Sequence, residues 1–181
     1  MKTKKEEFNY FDELTYSLAT SRKLLQKAHD GGSLIEGLCL YVSIIDGFLR
    51  LAIIYSRTQK SPKHTYDVEK QMIRQDEKER TYSEKEIYGM AFKEDIISSD
   101  IYQKLNQMYL FRNKVVHRFN ISDIKYNQIA EACIKFELIY QDIFDILSIL
   151  EHGSLKIPKL KKKDEARVHK EIFKKIGYKN H

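Results

Sequence analysis

Residues 34–55 read Leu-Ile-Glu-Gly-Leu-Cys-Leu-Tyr-Val-Ser-Ile-Ile-Asp-Gly-Phe-Leu-Arg-Leu-Ala-Ile-Ile-Tyr. Apolar side chains return at Leu34, Leu38, Tyr41, Val42, Ile45, Leu49 and Ile53, the spacing of an α-helix. They cover nearly the whole circumference and leave one thin polar strip of Glu36, Ser43, Asp46 and Arg50. A helix apolar almost all round must be covered on every side, so this segment predicts the central helix of a bundle. Ser33 stands where its N-cap belongs. A bilayer would also accept such a length, but Glu36, Asp46 and Arg50 are each costly there, so a core helix is expected and no membrane partner.

Upstream, Phe8, Phe11, Leu14, Leu18, Leu25 and Ala28 keep helical spacing, and Gly31-Gly32 ends the run, which predicts a helix over 5–29. Downstream the period returns over 99–119 and again over 123–150, where Ile129, Cys133, Phe136, Ile139, Tyr140, Ile143, Phe144, Leu147 and Leu150 form a wide apolar band. A link of a few residues makes those last two helices antiparallel neighbours. The expected fold is all-α, an antiparallel up-and-down helix bundle. Only 7 Gly and 2 Pro serve 181 residues, too little turn chemistry for many short strands. With 42% hydrophobic and 32% charged residues the chain can build a core, which excludes a wholly disordered protein.

One helical domain over 1–153 accommodates these elements, interrupted by a polar excursion over 57–86 and followed by a basic extension over 154–181. The excursion carries mixed charge and Pro62, compatible with a short helical piece around 67–80, and Ile87 to Phe92 closes it as a short packed segment. The net charge of +6 belongs to the C-terminal end, where residues 151–181 hold ten Lys and Arg against four Asp and Glu. That end either solvates the chain or strengthens RNA binding in a salt-dependent way, with DNA binding a third alternative.

Cys39 and Cys133 lie in apolar stretches and are expected as buried thiols, too few for a disulfide framework. No apolar signal core follows the charged N-terminus, so a cytoplasmic protein is expected. His29, His64, His152, His169 and His181 lack ligand spacing, so neither a metal site nor a cofactor is expected.

The informative residues lie at 111–119, Phe-Arg-Asn-Lys-Val-Val-His-Arg-Phe. At about 100° per residue, Arg112 falls inside the apolar arc formed by Ile101, Leu105, Met108, Phe111, Val115, Val116 and Phe119. A permanent charge there needs a counter-charge or a polar cleft, and Asp46 or Glu36 could supply the former. Tyr109, Asn113, His117 and Asn120 form an adjoining polar strip. Arg112 and His117 thus flank one cleft lip, placed to share an anion without touching each other.

Arg112-Asn113-Lys114-Val115-Val116-His117 resembles the Arg-x4-6-His signature of the HEPN superfamily (higher eukaryotes and prokaryotes nucleotide-binding domains), including the Asn after the Arg. The signature's place near the end of a penultimate helix, before a tight turn and a long last helix, agrees with that family's layout. The resemblance implies a HEPN-like fold and a metal-independent endoribonuclease, usually a homodimer with two signature helices facing across a composite cleft. It implies Arg112 and His117 as catalytic residues, Asn113 as an orienting amide and Asp46 as an acid anchoring the Arg. The residue types suit the chemistry. An imidazole exchanges protons near neutral pH, and a guanidinium grips a phosphate and its growing charge. Lys114 and Arg118 are candidates for phosphate contacts or plain solvated charges. By the same analogy the protein is a toxin or phage-defence effector, partnered by an antitoxin or a nucleotidyltransferase. The alternative is a non-catalytic helical interaction or dimerisation module.

Overall fold

Residues 4–60, 70–73 and 82–152 are described by the computed structural model. All regular structure among them is helical. Two long helices come first, α1 (Lys4–Asp30) and α2 (Leu34–Lys60). The glycine pair ends α1 as expected. Gly32 adopts φ +69°, and the N–H groups of Gly32 and Ser33 reach back to the carbonyls of His29 and Ala28 at 3.1 and 2.8 Å. That closure consumes two otherwise orphaned helix-end carbonyls and turns the chain back on itself.

Between α2 and the next long helices lie a short turn, α3 (Lys70–Ile73), and α4 (Glu84–Lys93). Ser83 and Glu86 form a reciprocal capping box at the start of α4. Two observations correct the expected excursion over 57–86. Helix α2 continues to Lys60, and Ile87–Phe92 is part of a ten-residue helix whose first turn begins inside the excursion. The remainder of the excursion and the extension over 154–181 lie outside the described residues.

The last elements are α5 (Ser99–Arg118), a 3-10 turn at Phe119–Ile121 and α6 (Tyr126–His152). Helix α6 starts later than the expected Asp123. Residues 123–125 are irregular and follow the 3-10 turn, and the Lys125 N–H is taken by the Gln128 side chain at 2.8 Å, which caps the helix at that point.

Fifteen of the 27 residues of α2 are buried, which makes it the axis of the bundle. Burying each large apolar side chain there contributes roughly 1.5–3 kcal/mol. Its neighbours fix the topology. Leu18 meets Gly47 and His29 meets Gly37, so α1 runs antiparallel to α2. A Cβ at Gly47 would stand 2.6 Å from a Leu18 methyl, so the glycine sets how closely those helices approach.

Tyr41 bonds Glu137, Phe48 packs on Tyr140 and Phe144, and Gln59 reaches the Leu150 carbonyl, so α6 runs parallel to α2. Arg50 reaches Tyr82 and Arg57 pairs with Glu94, so α4 is also parallel to it. Arg112 pairs with Glu84 and Phe92 stacks on Tyr102, so α5 returns antiparallel to α4. The short link therefore does reverse the chain between α5 and α6, although α6 packs chiefly along α2 rather than α5. Among the described residues, α2 is the one helix long and apolar enough to cross a membrane, and 72% of its most apolar window is buried in the bundle.

Candidate functional site

Helix α5 carries the signature residues because its two faces differ. Leu105, Met108 and Val115 are buried, while Leu110 and Val116 are 61% and 43% exposed on the side that carries Asn113 and His117. From Ile101 to Ser122 the chain holds Lys104, Arg112, Lys114, His117 and Arg118 and no Asp or Glu, although the protein has 26 acids in all. An acid-free basic run in such a chain suits an anionic ligand.

Arg112 lies on the buried side of α5, as the wheel predicts, with its side chain 18% exposed. The carboxylate that holds it is Glu84 of α4, bonded through Nη2, and not Asp46. Asp46 pairs with Arg50 at 2.6 Å, one turn along α2. Arg50 shares the polar strip of α2 with Asp46 and is the closer cation. Arg50 also donates to the carbonyls of Met72 and Tyr82 at 3.2 and 2.9 Å, so it pins the returning chain onto α2 just ahead of Glu84.

The Arg112 guanidinium sits 5.4 Å from the Tyr109 ring centre, with Lys85 Nζ 5.2 Å from the same ring. Arg112 Nε and Asp46 Oδ1 are buried without hydrogen bonds, so neither polar cluster is fully satisfied. Burial pushes the carboxyls of Asp46 and Glu84 above their ordinary range, against the opposing pull of Arg50 and Arg112. Tyr88 is raised as well, by burial first and then by Glu84 and Asp46.

His117 is exposed at the end of α5 and lines an open cleft of about 490 Å³. Ile35, Cys39, Val115 and Phe119, buried or half-buried, form its floor, and Val116, His117, Arg118, Asn120 and Ile121 form its exposed rim. None of these residues is acidic.

The expectation for Cys39 is corrected here. It is half-buried and opens onto the cleft, whereas Cys133 is buried and directs its thiol to the Leu34 carbonyl at 3.4 Å. Burial raises the Cys39 thiol, with Arg112 pulling the other way, which places the guanidinium within electrostatic reach of the cleft floor.

The cleft thus brings together His117 and Arg118. Asn113 is half-buried and Lys114 exposed on α5 outside the lining, and Asp46 is paired with Arg50 and also lies outside it. Arg112 does not line the cleft, and an ideal helix separates its Cα from that of His117 by about 9 Å.

Glu84 was overlooked because it sits in sequence read as a solvated excursion. The signal that could have found it is Ser83-x-x-Glu86 directly ahead of Ile87-Tyr88, a helix start that would have placed Glu84 in a first turn. Compared with protein-family models, curated proteins and solved structures, the chain matches none.

Proposed function

We propose that the chain is a metal-independent endoribonuclease of the HEPN type, active in the cytoplasm as a homodimer and serving as a toxin or phage-defence effector. One observation carries this reading. His117 stands exposed on the rim of an acid-free cleft, at the end of the helix that also holds Arg112. In the proposed reaction one His117 takes the proton of a ribose 2'-OH, the 2'-oxygen attacks the adjacent phosphorus and the bond to the 5'-oxygen breaks. Water returns a proton to that oxygen, leaving a 2',3'-cyclic phosphate and a 5'-hydroxyl, and the imidazolium releases its proton to solvent. Arg112 holds the phosphate and the charge that grows on it.

Because Arg112 does not line the cleft of its own subunit, the reading pairs it with the imidazole of a second copy. Two α5 helices crossing antiparallel about a two-fold axis would bring each guanidinium toward the opposite His117. Exposed Leu110 and Val116 on that face support such a contact. Asn113, between them on the helix, would orient an imidazole, and Lys114 and Arg118 would meet flanking phosphates.

A second reading, a non-catalytic interaction module, is favoured by the Arg112–Glu84 pair, since a guanidinium matched by a carboxylate offers little net charge to a phosphate. Incubation with single-stranded RNA in excess chelator separates the two. The nuclease leaves cyclic-phosphate ends, and His117→Ala lowers its rate roughly 100-fold or more. Equal cleavage by the two proteins, or none by the wild type, rejects the proposal.

A further inference from the structure

The cleft beside His117 extends well beyond what proton transfer requires. Resting on the nuclease reading, we propose that it is a nucleobase pocket for the nucleotide whose 2'-oxygen attacks, and that Asn120 and Phe119 set which base stands 5' of the cut.

The placement follows from the sugar. An imidazole that takes the 2'-proton must come within about 2.6–3.2 Å of that oxygen. The base hangs from C1', the carbon next to the one bearing that hydroxyl, so it falls within one sugar's width of His117. The cleft occupies that space. Its volume of about 490 Å³ lies in the range of small-ligand sites, roughly 300–1,000 Å³, and suits a base with its ribose.

Its chemistry also matches. A base has apolar faces and a polar edge, and sequence-specific proteins receive unstacked RNA bases on aromatic side chains while hydrogen-bonding their edges. Phe119 supplies the aromatic wall, with Cys39 and Val115 completing an apolar floor. On the exposed rim, Asn120 offers an amide donor and an amide acceptor side by side, the pattern that pairs bidentately with a base edge such as that of adenine. Arg118, also on the rim, is positioned for the adjoining phosphate, and no carboxylate lines the site to repel it.

The test uses the full chain and two readouts. Cleavage sites on a randomised single-stranded RNA are mapped for the wild type, Asn120→Ala and Phe119→Leu. Separately, the four nucleoside 3'-monophosphates are titrated into the wild type and Phe119→Leu while alkylation of Cys39 by N-ethylmaleimide is followed by mass spectrometry.

The proposal expects one base to dominate 5' of the cut and Asn120→Ala to flatten that preference. It also expects Phe119→Leu to weaken nucleotide binding roughly 5-fold or more, as lost stacking does. The preferred nucleotide should protect Cys39. Cleavage whose base preference survives both substitutions overturns the pocket and leaves the nuclease intact. Protection of Cys39 without any RNA cleavage keeps the pocket and removes the nuclease. Nucleotides that neither bind nor protect Cys39 overturn the pocket whatever the activity.

Discussion

Replacing Glu84 with Ala removes the carboxylate that holds Arg112 and leaves a guanidinium largely enclosed by protein. The two side chains are 18% and 27% exposed, so the pair lies much nearer the buried limit than the surface limit. Breaking a buried pair costs about 3–5 kcal/mol and an exposed one about 0–1 kcal/mol, which puts this change at about 2–3 kcal/mol. At about 2–4 °C per kcal/mol for a domain of this size, the melting temperature should fall by roughly 5–10 °C.

Urea unfolding followed by far-UV circular dichroism measures this directly, with the slope against denaturant expected to stay unchanged. Substituting both partners by apolar residues, Glu84→Leu with Arg112→Met, should recover most of the loss, because no orphaned charge then remains. A single variant within about 0.5 kcal/mol of the wild type, or a double variant as unstable as the sum of the singles, would refute the inference that this pair ties α4 to α5.

Tyr41 is buried in the seam between α2 and α6 with its hydroxyl bonded to Glu137, so Tyr41→Phe should cost about 1–2 kcal/mol in chemical denaturation. No loss would mean that the bond adds nothing to that seam. A different signature is expected of Asp46, whose carboxyl burial holds above its ordinary value of 3.8. The native state then binds the proton more readily than the unfolded chain, and ionisation opposes folding as pH rises from 3.8 through the raised value. The stability of the wild type relative to Asp46→Asn should therefore increase as pH falls from about 7 to about 4 and level off below that. A difference that shrinks over the same interval would show that the Arg50 pairing outweighs the burial.

The helices were legible wherever periodicity and punctuation agreed. The all-round apolar pattern of residues 34–55 marked the axis of the bundle, and Gly31-Gly32 marked its first corner with the left-handed residue that the corner uses. The position of Arg112 among apolar neighbours was also legible, because it follows from the helical angle alone. Its counter-ion was not. Glu84 lies 28 positions away, and a wheel drawn for α5 carries no information about which later-packed element faces it. Asp46 was the nearer guess because the polar strip of α2 was visible, but Arg50, one turn along the same helix, engages it first. The cleft was illegible for a related reason. It forms where the start of α2 meets the end of α5, so Ile35 and Cys39 become neighbours of His117 only after both helices pack.

The claim on which the functional account turns is that Arg112 of one copy works with His117 of another, and subunit mixing tests it most directly. Folded Arg112→Gln and His117→Ala chains, each inactive alone, are combined in equal amounts, allowed to exchange and assayed on RNA with chelator present. Half of the dimers should then be mixed, each with one intact site of two, so activity should return to about a quarter of the wild-type level. A mixture that exchanges subunits yet stays as inactive as its components would contradict the shared site.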